Sequence, residues 1–256
     1  SVKQDSSPRF RTSIASSNED LRSAQRLRYD VFVSELGGKG NLVDHVQKLE
    51  RDRFDPFVDH LLLHDDSIGA VVGVYRLMRP EMAVAAGQYY SQDEYELAPL
   101  LNSKRKLLEL GRSCLRPEYR GGTAMFHLWN ALAQYVFNHE IELMFGVASF
   151  RGTDTTDLAA PLSLLHHRHL APEGFRVRAR GRTVQPMDLI PEAELDRRKA
   201  MLQIPALIKA YLRLGGVVGE GAFVDHEFNT TDVCLIMDTA NLNKRQSRIY
   251  SGESKR

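Results

Sequence analysis

Apolar residues recur along the chain with two different periods, and the changes of period mark out its elements. Leu21, Ala24, Leu27 and Val31 fall three or four apart, a helical stripe running from about Ser17 to Val33. Ser17-Asn18-Glu19-Asp20 supplies a capping hydroxyl and first-turn acids, and Gly37, Gly38 and Gly40 end the helix and open a loop. Two apolar runs, 58–64 and 69–78, flank Asp65-Asp66-Ser67-Ile68 and predict a β-hairpin. Residues 79–104 form a long excursion with Tyr89, Tyr90, Tyr95 and several acids, of a length usually reserved for functional or mobile segments. A strand is predicted over 106–115, an amphipathic helix over 123–139, a buried strand over 142–150 and a short helix over 157–169. Residues 175–180 and 183–189 read as strands, and 192–214 as a helix broken before Pro205. Two closing strands are expected at 222–225 and 231–238. Both ends are polar and aperiodic, so residues 10–240 are expected to form a single α/β domain between flexible tails at 1–9 and 241–256.

Composition narrows the class. The chain has 256 residues, 43% hydrophobic, and 34 basic against 33 acidic side chains, a net charge of +1. It can bury a large core, and it has no global basic field for nucleic acid. Cys114 and Cys234 both sit in apolar runs, with no spaced Cys/His framework; this predicts a reducing cytosol and no bound metal. No apolar run reaches the ~18 residues a membrane span needs, and the first residues lack the apolar core of a signal peptide. A cytoplasmic location is therefore expected.

The densest chemistry lies at 109–123. Glu109 and Arg112 ride on the strand, which runs into Arg116-Pro117-Glu118-Tyr119-Arg120-Gly121-Gly122-Thr123 and then a helix. A strand, a glycine turn and a helix N-terminus aim backbone N–H groups at an anion, while a carboxylate and an arginine suit a second, polar substrate. The combination suggests group transfer from a phosphate-bearing carrier. Glu109 and Arg112 are three apart, so a regular strand would send them to opposite faces. Gly111 between them predicts a β-bulge that re-aims one of them and frees an N–H near Ser113 or Cys114 for an oxyanion.

The order of a helix, a hairpin, a strand–glycine turn–helix unit and a further strand–helix pair resembles the GNAT N-acyltransferases. The resemblance implies a mixed central sheet with a splayed strand pair, flanked by helices. The pyrophosphate turn of that family usually reads Arg/Gln-x-x-Gly-x-Gly/Ala. Here the turn is Arg120-Gly121-Gly122-Thr123-Ala124, a departure that points from coenzyme A towards a carrier protein. Glu50-x-Asp52-x-x-Asp55, Arg76, Glu109-x-x-Arg112 and Arg28 look like the charged signature of acyl-homoserine-lactone synthases. Residues 146–154, 165–172, 205–215 and 228–233 look instead like the ornithine N-acyltransferases that make lyso-ornithine lipid.

That likeness implies an N-acyltransferase moving a 3-hydroxyacyl chain from the 4'-phosphopantetheine of acyl carrier protein to the α-amine of ornithine. No bound cofactor is implied, and peripheral contact with the inner membrane fits a lipid product. The rival readings are a glutamine acyltransferase, an acyl-homoserine-lactone synthase and a non-catalytic acyl-carrier-binding protein.

Amide formation from a thioester needs a deprotonated amine and a stabilised oxyanion. Glu109, Glu50, Asp52 and Arg112 are the candidate catalytic residues, with Glu109 preferred as base. Arg28, Asp55, Arg76, Ser113, Cys114 and Ser149 are candidates for substrate binding, the arginines because a guanidinium grips a carboxylate bidentately. Arg116, Arg120, Gly121, Gly122 and Thr123 are candidates for the phosphopantetheine. The cluster His166-His167-Arg168-His169 lacks the acid or cysteine spacing of a metal site and is expected to pack. The basic clusters of Arg116, Arg120, Arg176, Arg178, Arg180 and Arg182 are expected to face solvent, with docking of an acidic carrier protein or of an anionic membrane surface as the functional alternative.

Overall fold

The structure is a computed structural model that describes residues 7–242, so most of the expected tails at 1–9 and 241–256 lies outside the described residues. In chain order its main elements are β1 (Phe10–Ile14), α1 (Asn18–Arg28), β2 (Asp59–Asp65), β3 (Ala70–Met78), α2 (Pro80–Ala86), β4 (Tyr95–Glu96), α3 (Ala98–Leu101), β5 (Leu107–Leu115) and α4 (Ala124–Asn138). There follow β6 (Leu143–Arg151), α5 (Ala159–His169), β7 (Arg178–Ala179), β8 (Val184–Gln185), α6 (Arg197–Gln203), α7 (Ala206–Arg213), β9 (Val217–Val218), β10 (Ala222–Asp225) and β11 (Thr230–Asp238). By internal contacts the described residues divide into a first unit, up to residue 78 and over 110–138, and a second, over 79–109 and from residue 139 on.

In the first unit β1, β2, β3 and the end of β5 lie side by side, with β1–β2 and β2–β3 antiparallel. Alternation along the strands explains why both faces are covered. Leu62, Val74 and Cys114 pack on Ala24, Leu27 and Val31 of the N-terminal helical segment. The next positions point the other way, where Gly73 leaves room for Leu115 and for Leu128 of α4; a Cβ there would lie 2.7 Å from Leu115 Cδ2. The predicted hairpin is present, and Asp65 organises its turn by accepting from Arg9 N, Ser67 N and the Tyr119 hydroxyl.

Two features of this unit depart from the expected order of elements. A strand absent from that order, β1, precedes the first helix, and its register pairs Phe10 with Asp65 and Ile14 with Leu61. The strand was masked because Arg11, Thr12 and Ser13 are polar and only Phe10 and Ile14 mark its ends. The first helix is capped by Ser17, whose side chain accepts from Asp20 N, but it widens into a π-helix over Tyr29–Glu35. Gly37, with φ 77°, follows it, and Gly37 N donates to Val33 O.

In the second unit the start of β5 runs parallel to β6, matching Leu107 with Leu143 and Glu109 with Phe145. β6 pairs antiparallel with β11 along its whole length, and β10 and β8 continue from β11 while β9 also pairs with it. The sheet is thus mixed, with α5 and α7 against it and α6 packed on α5. β11 is buried from Thr230 to Met237, which is why its sequence reads as a near-continuous apolar run. The excursion at 79–104 is structured: α2, a 3-10 turn over Tyr90–Asp93, β4 and α3 fill it, and β4 pairs with β7. The strands expected at 175–180 and 183–189 shrink to two residues each. The helix expected over 192–214 becomes a 3-10 turn at Glu192–Glu194, then α6 and α7. Pro205 lacks an N–H and forces Ile204 into an extended conformation (ψ 128°), which separates α6 from α7. Among the described residues no helix is long and apolar enough to cross a membrane.

Candidate active site

Three arginines of the first unit, each from a different element, meet three carboxylates of the 50–55 segment in one network. Arg28, at the last turn of α1, is 1% exposed. Its Nε and Nη2 donate to Glu50 Oε1 and Oε2 (3.2 and 2.9 Å), and its Nη1 and Nη2 donate to Asp55 Oδ1 and Oδ2 (2.8 and 3.3 Å). The fork therefore serves two carboxylates at once. Arg76, on β3, donates through Nη1 to Asp52 Oδ1 (2.7 Å) and Asp55 Oδ1 (3.0 Å). Arg112, on β5, donates through Nε to Glu50 Oε1 (2.7 Å) and through Nη2 to Asp52 Oδ2 (3.3 Å).

Burial and charge pull in opposite directions here, and charge wins for the acids. Burial pushes the Glu50 carboxyl up, but Arg28 first and Arg112 next overcome it and hold the group at about 2. Asp55 is likewise held far below its ordinary value by Arg28 and Arg76 against its burial. Burial alone would lower Arg28, and Glu50 and Asp55 keep it above its usual value. Glu50 and Asp55 are thus fixed anions, and of the three acids Asp52 has the most exposed side chain, at 20%.

The backbone of β5 leaves the extended conformation at Arg112, the residue after Gly111. The φ there is 49°, a left-handed conformation that costs a non-glycine residue roughly 1–2 kcal/mol. Two carboxylates hold the arginine side chain in the strained position.

Glu109, on the part of β5 that belongs to the second unit, is 4% exposed. Its Oε1 accepts from Tyr90 N (3.0 Å) and its Oε2 from Ser91 N (2.8 Å), so it caps the 3-10 turn of the excursion. Ser149 donates to Asp232 Oδ1 at 2.6 Å, and Thr230 donates to the same oxygen at 2.8 Å. Glu94, Asp225 and Asp232 bring one carboxylate oxygen each to within 4.8 Å of one another. Burial, with the Asp232 charge beside it, raises the Asp225 carboxyl above its ordinary value.

The remaining predicted residues divide by what occupies them. Cys114 packs in the first unit's core, and burial pushes its thiol up to about 12, which leaves only its main chain to a substrate. Ser113 has a buried Oγ without a partner at hydrogen-bonding geometry, with Tyr75 as a polar neighbour. Arg120 is committed elsewhere than expected: it donates to both oxygens of Glu35 (2.6 and 2.8 Å) and to Leu115 O (3.1 Å), so its side chain pins the turn to the π-helix. Arg116 lies in the same turn and makes no ion pair among the described residues. Gly121, with φ 79°, and Gly122 leave the turn open, and Thr123 O accepts from His127 N as α4 begins.

Sequence reasoning missed Gln25, whose Nε2 donates to Asp55 Oδ2 (3.0 Å). Its position three before Arg28 places it on the same helix face, a signal that was there to be read. It also missed His60. Burial lowers its pKa, and its Nε2 donates to the Asp55 carbonyl (3.0 Å). No spacing rule links a strand histidine to a main-chain oxygen five residues earlier.

A family model described as an acetyltransferase (GNAT) domain matches residues 27–130, the stretch that carries Arg28, the three acids, Arg76, Glu109 and Arg112. The chain is 56% identical to the L-ornithine N(alpha)-acyltransferase of Rhodobacter capsulatus, over 93% of each chain. It is 40% identical to the protein of that name from Brucella abortus, over 95% of this chain and 89% of the other. Among solved structures it is similar to a CoA-dependent acyl-homoserine lactone synthase, MesI, with a TM-score of 0.50 and 14% identity over 96% and 97% of the two chains, a likeness of fold alone. By its identity to the two acyltransferases over most of their length, the chain belongs to the family of L-ornithine N(alpha)-acyltransferases.

Proposed function

We propose that the chain transfers a 3-hydroxyacyl group from the 4'-phosphopantetheine thioester of acyl carrier protein to the α-amine of L-ornithine. The observation that carries this reading is the 56% identity to an L-ornithine N(alpha)-acyltransferase over 93% of each chain. In the reaction the amine nitrogen bonds to the acyl carbon and the carbon–sulfur bond breaks. One proton leaves the ammonium before attack, a second leaves as the tetrahedral intermediate collapses, and the carrier's thiolate regains one.

Direct attack is favoured over an acyl-enzyme. A nucleophilic cysteine must reach the thiolate, and burial pushes Cys114 up to about 12 and Cys234 higher still. For the base we retain Glu109, acting directly or through water, because Glu50 and Asp55 are anions held by arginines and poor proton acceptors at neutral pH. Arg28 spends its donors on Glu50 and Asp55. Arg112 has the most exposed side chain of the three arginines and is the one we assign to the substrate carboxylate. Arg116 and the open Gly121–Gly122 turn are assigned to the donor's phosphate, with Arg120 holding that turn in place.

Charge supports ornithine over glutamine. Asp225 accepts only main-chain N–H groups and Asp232 only hydroxyls, and neither has a basic partner among the described residues. A second ammonium would relieve their repulsion, and a neutral carboxamide would not. Asp232→Asn should therefore raise KM for ornithine at least tenfold with little change in kcat; an unchanged KM removes this support.

The donor is tested by comparing carrier-bound and coenzyme A-bound 3-hydroxyacyl groups, with amide product followed by mass spectrometry. Faster transfer from the carrier is expected. Equal or faster transfer from coenzyme A overturns the donor assignment. The product, an acyl chain on a charged amino acid, also implies peripheral contact with a membrane.

A further inference from the structure

The loop after the π-helix carries a feature the reaction does not use. Val46 at its tip is 93% exposed and Leu42 is 50% exposed. A floppy loop would carry exposed apolar side chains at no particular cost, but this one is held in shape. Asp44 and Leu49 exchange both main-chain hydrogen bonds (2.9 Å each), and Asp44 Oδ1 accepts from Val46 N and Gln47 N. Arg51 Nε donates to Leu42 O (2.9 Å), and Tyr29 OH meets His45 Nδ1 at 2.9 Å with the two rings edge to face. Leu49, 3% exposed, anchors the base of the loop.

The loop's own charge is one-sided. Lys39 and Lys48 are exposed and make no ion pair among the described residues. The loop's one acid, Asp44, is occupied by the turn it builds and by Arg51 at 3.7 Å. A preformed, narrow tip of two apolar side chains beside two uncompensated lysines suits the interface of an anionic bilayer, where apolar groups enter between headgroups and each nearby lysine adds attraction. It does not suit a protein partner, which needs a broad surface of about 800 Å² per side.

We propose that the 40–48 loop is a membrane-contact element that seats Val46 and Leu42 in an anionic lipid surface. The inference deepens the proposed function, resting on it for the amphiphilic product that such a seat would help deliver. It is tested on the full chain without substrate, by sedimentation with vesicles of phosphatidylcholine alone or mixed with phosphatidylglycerol. Wild-type protein should sediment with the mixed vesicles, and added salt should release it. Lys39→Glu with Lys48→Glu should weaken binding on the order of tenfold or more. Val46→Asp should abolish it, with melting temperature and transfer rate in vesicle-free solution unchanged. Failure of wild type to bind mixed vesicles, or binding by V46D equal to wild type, overturns the inference. So does loss of vesicle-free transfer in V46D, which would mark the tip as a carrier-docking surface. Because binding is read without acyl transfer, failure here leaves the acyltransferase reading standing.

Discussion

At the scale of single residues, the charged network assigns different tasks to acids that look alike in sequence. Removing the Glu50 charge would leave Arg28 and Arg112 facing a buried gap, a loss of about 3–5 kcal/mol for one broken buried pair. Glu50→Gln should thus lower the melting temperature strongly and lose activity with it. Asp52→Asn, at the more exposed corner, should lose activity with a much smaller change in melting temperature. Equal thermal loss in both variants would contradict this division. The same network sets a pH response. Glu50 and Asp55 have depressed pKa values in the folded state, so their contribution is present above their unfolded values and is lost as pH falls. Melting temperature should be flat above about pH 5 and fall between about pH 4 and 2. The residues of the network were legible through their resemblance to the charged signature of acyl-homoserine-lactone synthases; the acids at 50, 52 and 55 alone read as a solvated loop. Their allocation was not. Whether Arg28 grips a substrate or two neighbouring acids depends on which elements fold beside α1, and spacing carries no such information.

At the scale of elements, Glu109 does more than sit on a strand. By accepting Tyr90 N and Ser91 N it fixes the turn that precedes Glu94 and Tyr95, and Tyr95 OH donates to Gly221 O at 2.6 Å. Glutamine at 109 offers one acceptor for two donors. Glu109→Gln should therefore speed amide hydrogen exchange at residues 90–94 as well as lower kcat by about 10²–10⁴ if Glu109 is the base. A base role has its own signature: the residual rate of E109Q should climb with pH as the amine loses its proton unaided. Near-normal turnover in E109Q would remove Glu109 from the chemistry. The hairpin, β5, α4, β6 and β11 were readable because each has a long apolar run or stripe. The π-helix was not, since one widened turn barely shifts an apolar stripe that already ends there. Nor were β7 and β8, whose two-residue pairings leave no periodicity to detect.

At the scale of the whole molecule, the charged residues singled out by the sequence fall in two compact units. The first contains the arginine–carboxylate network and the Arg116–Gly122 turn; the second contains Glu109 and the acids at 94, 225 and 232. The order of strands and helices was sufficient to place the chain among the N-acyltransferases, because strand–turn–helix units leave strong sequence signals. The acceptor's identity was less accessible, since Glu94, Asp225 and Asp232 are far apart in sequence and meet only in three dimensions. The central claim is the acylation of ornithine at its α-amine, and a competition measures it most directly. The protein is given 3-hydroxyacyl carrier protein with equal ornithine and glutamine, and the amides are sequenced by tandem mass spectrometry. The account predicts Nα-(3-hydroxyacyl)ornithine as the dominant product; predominant acyl-glutamine, acylation at the δ-amine, or no amide at all would contradict it.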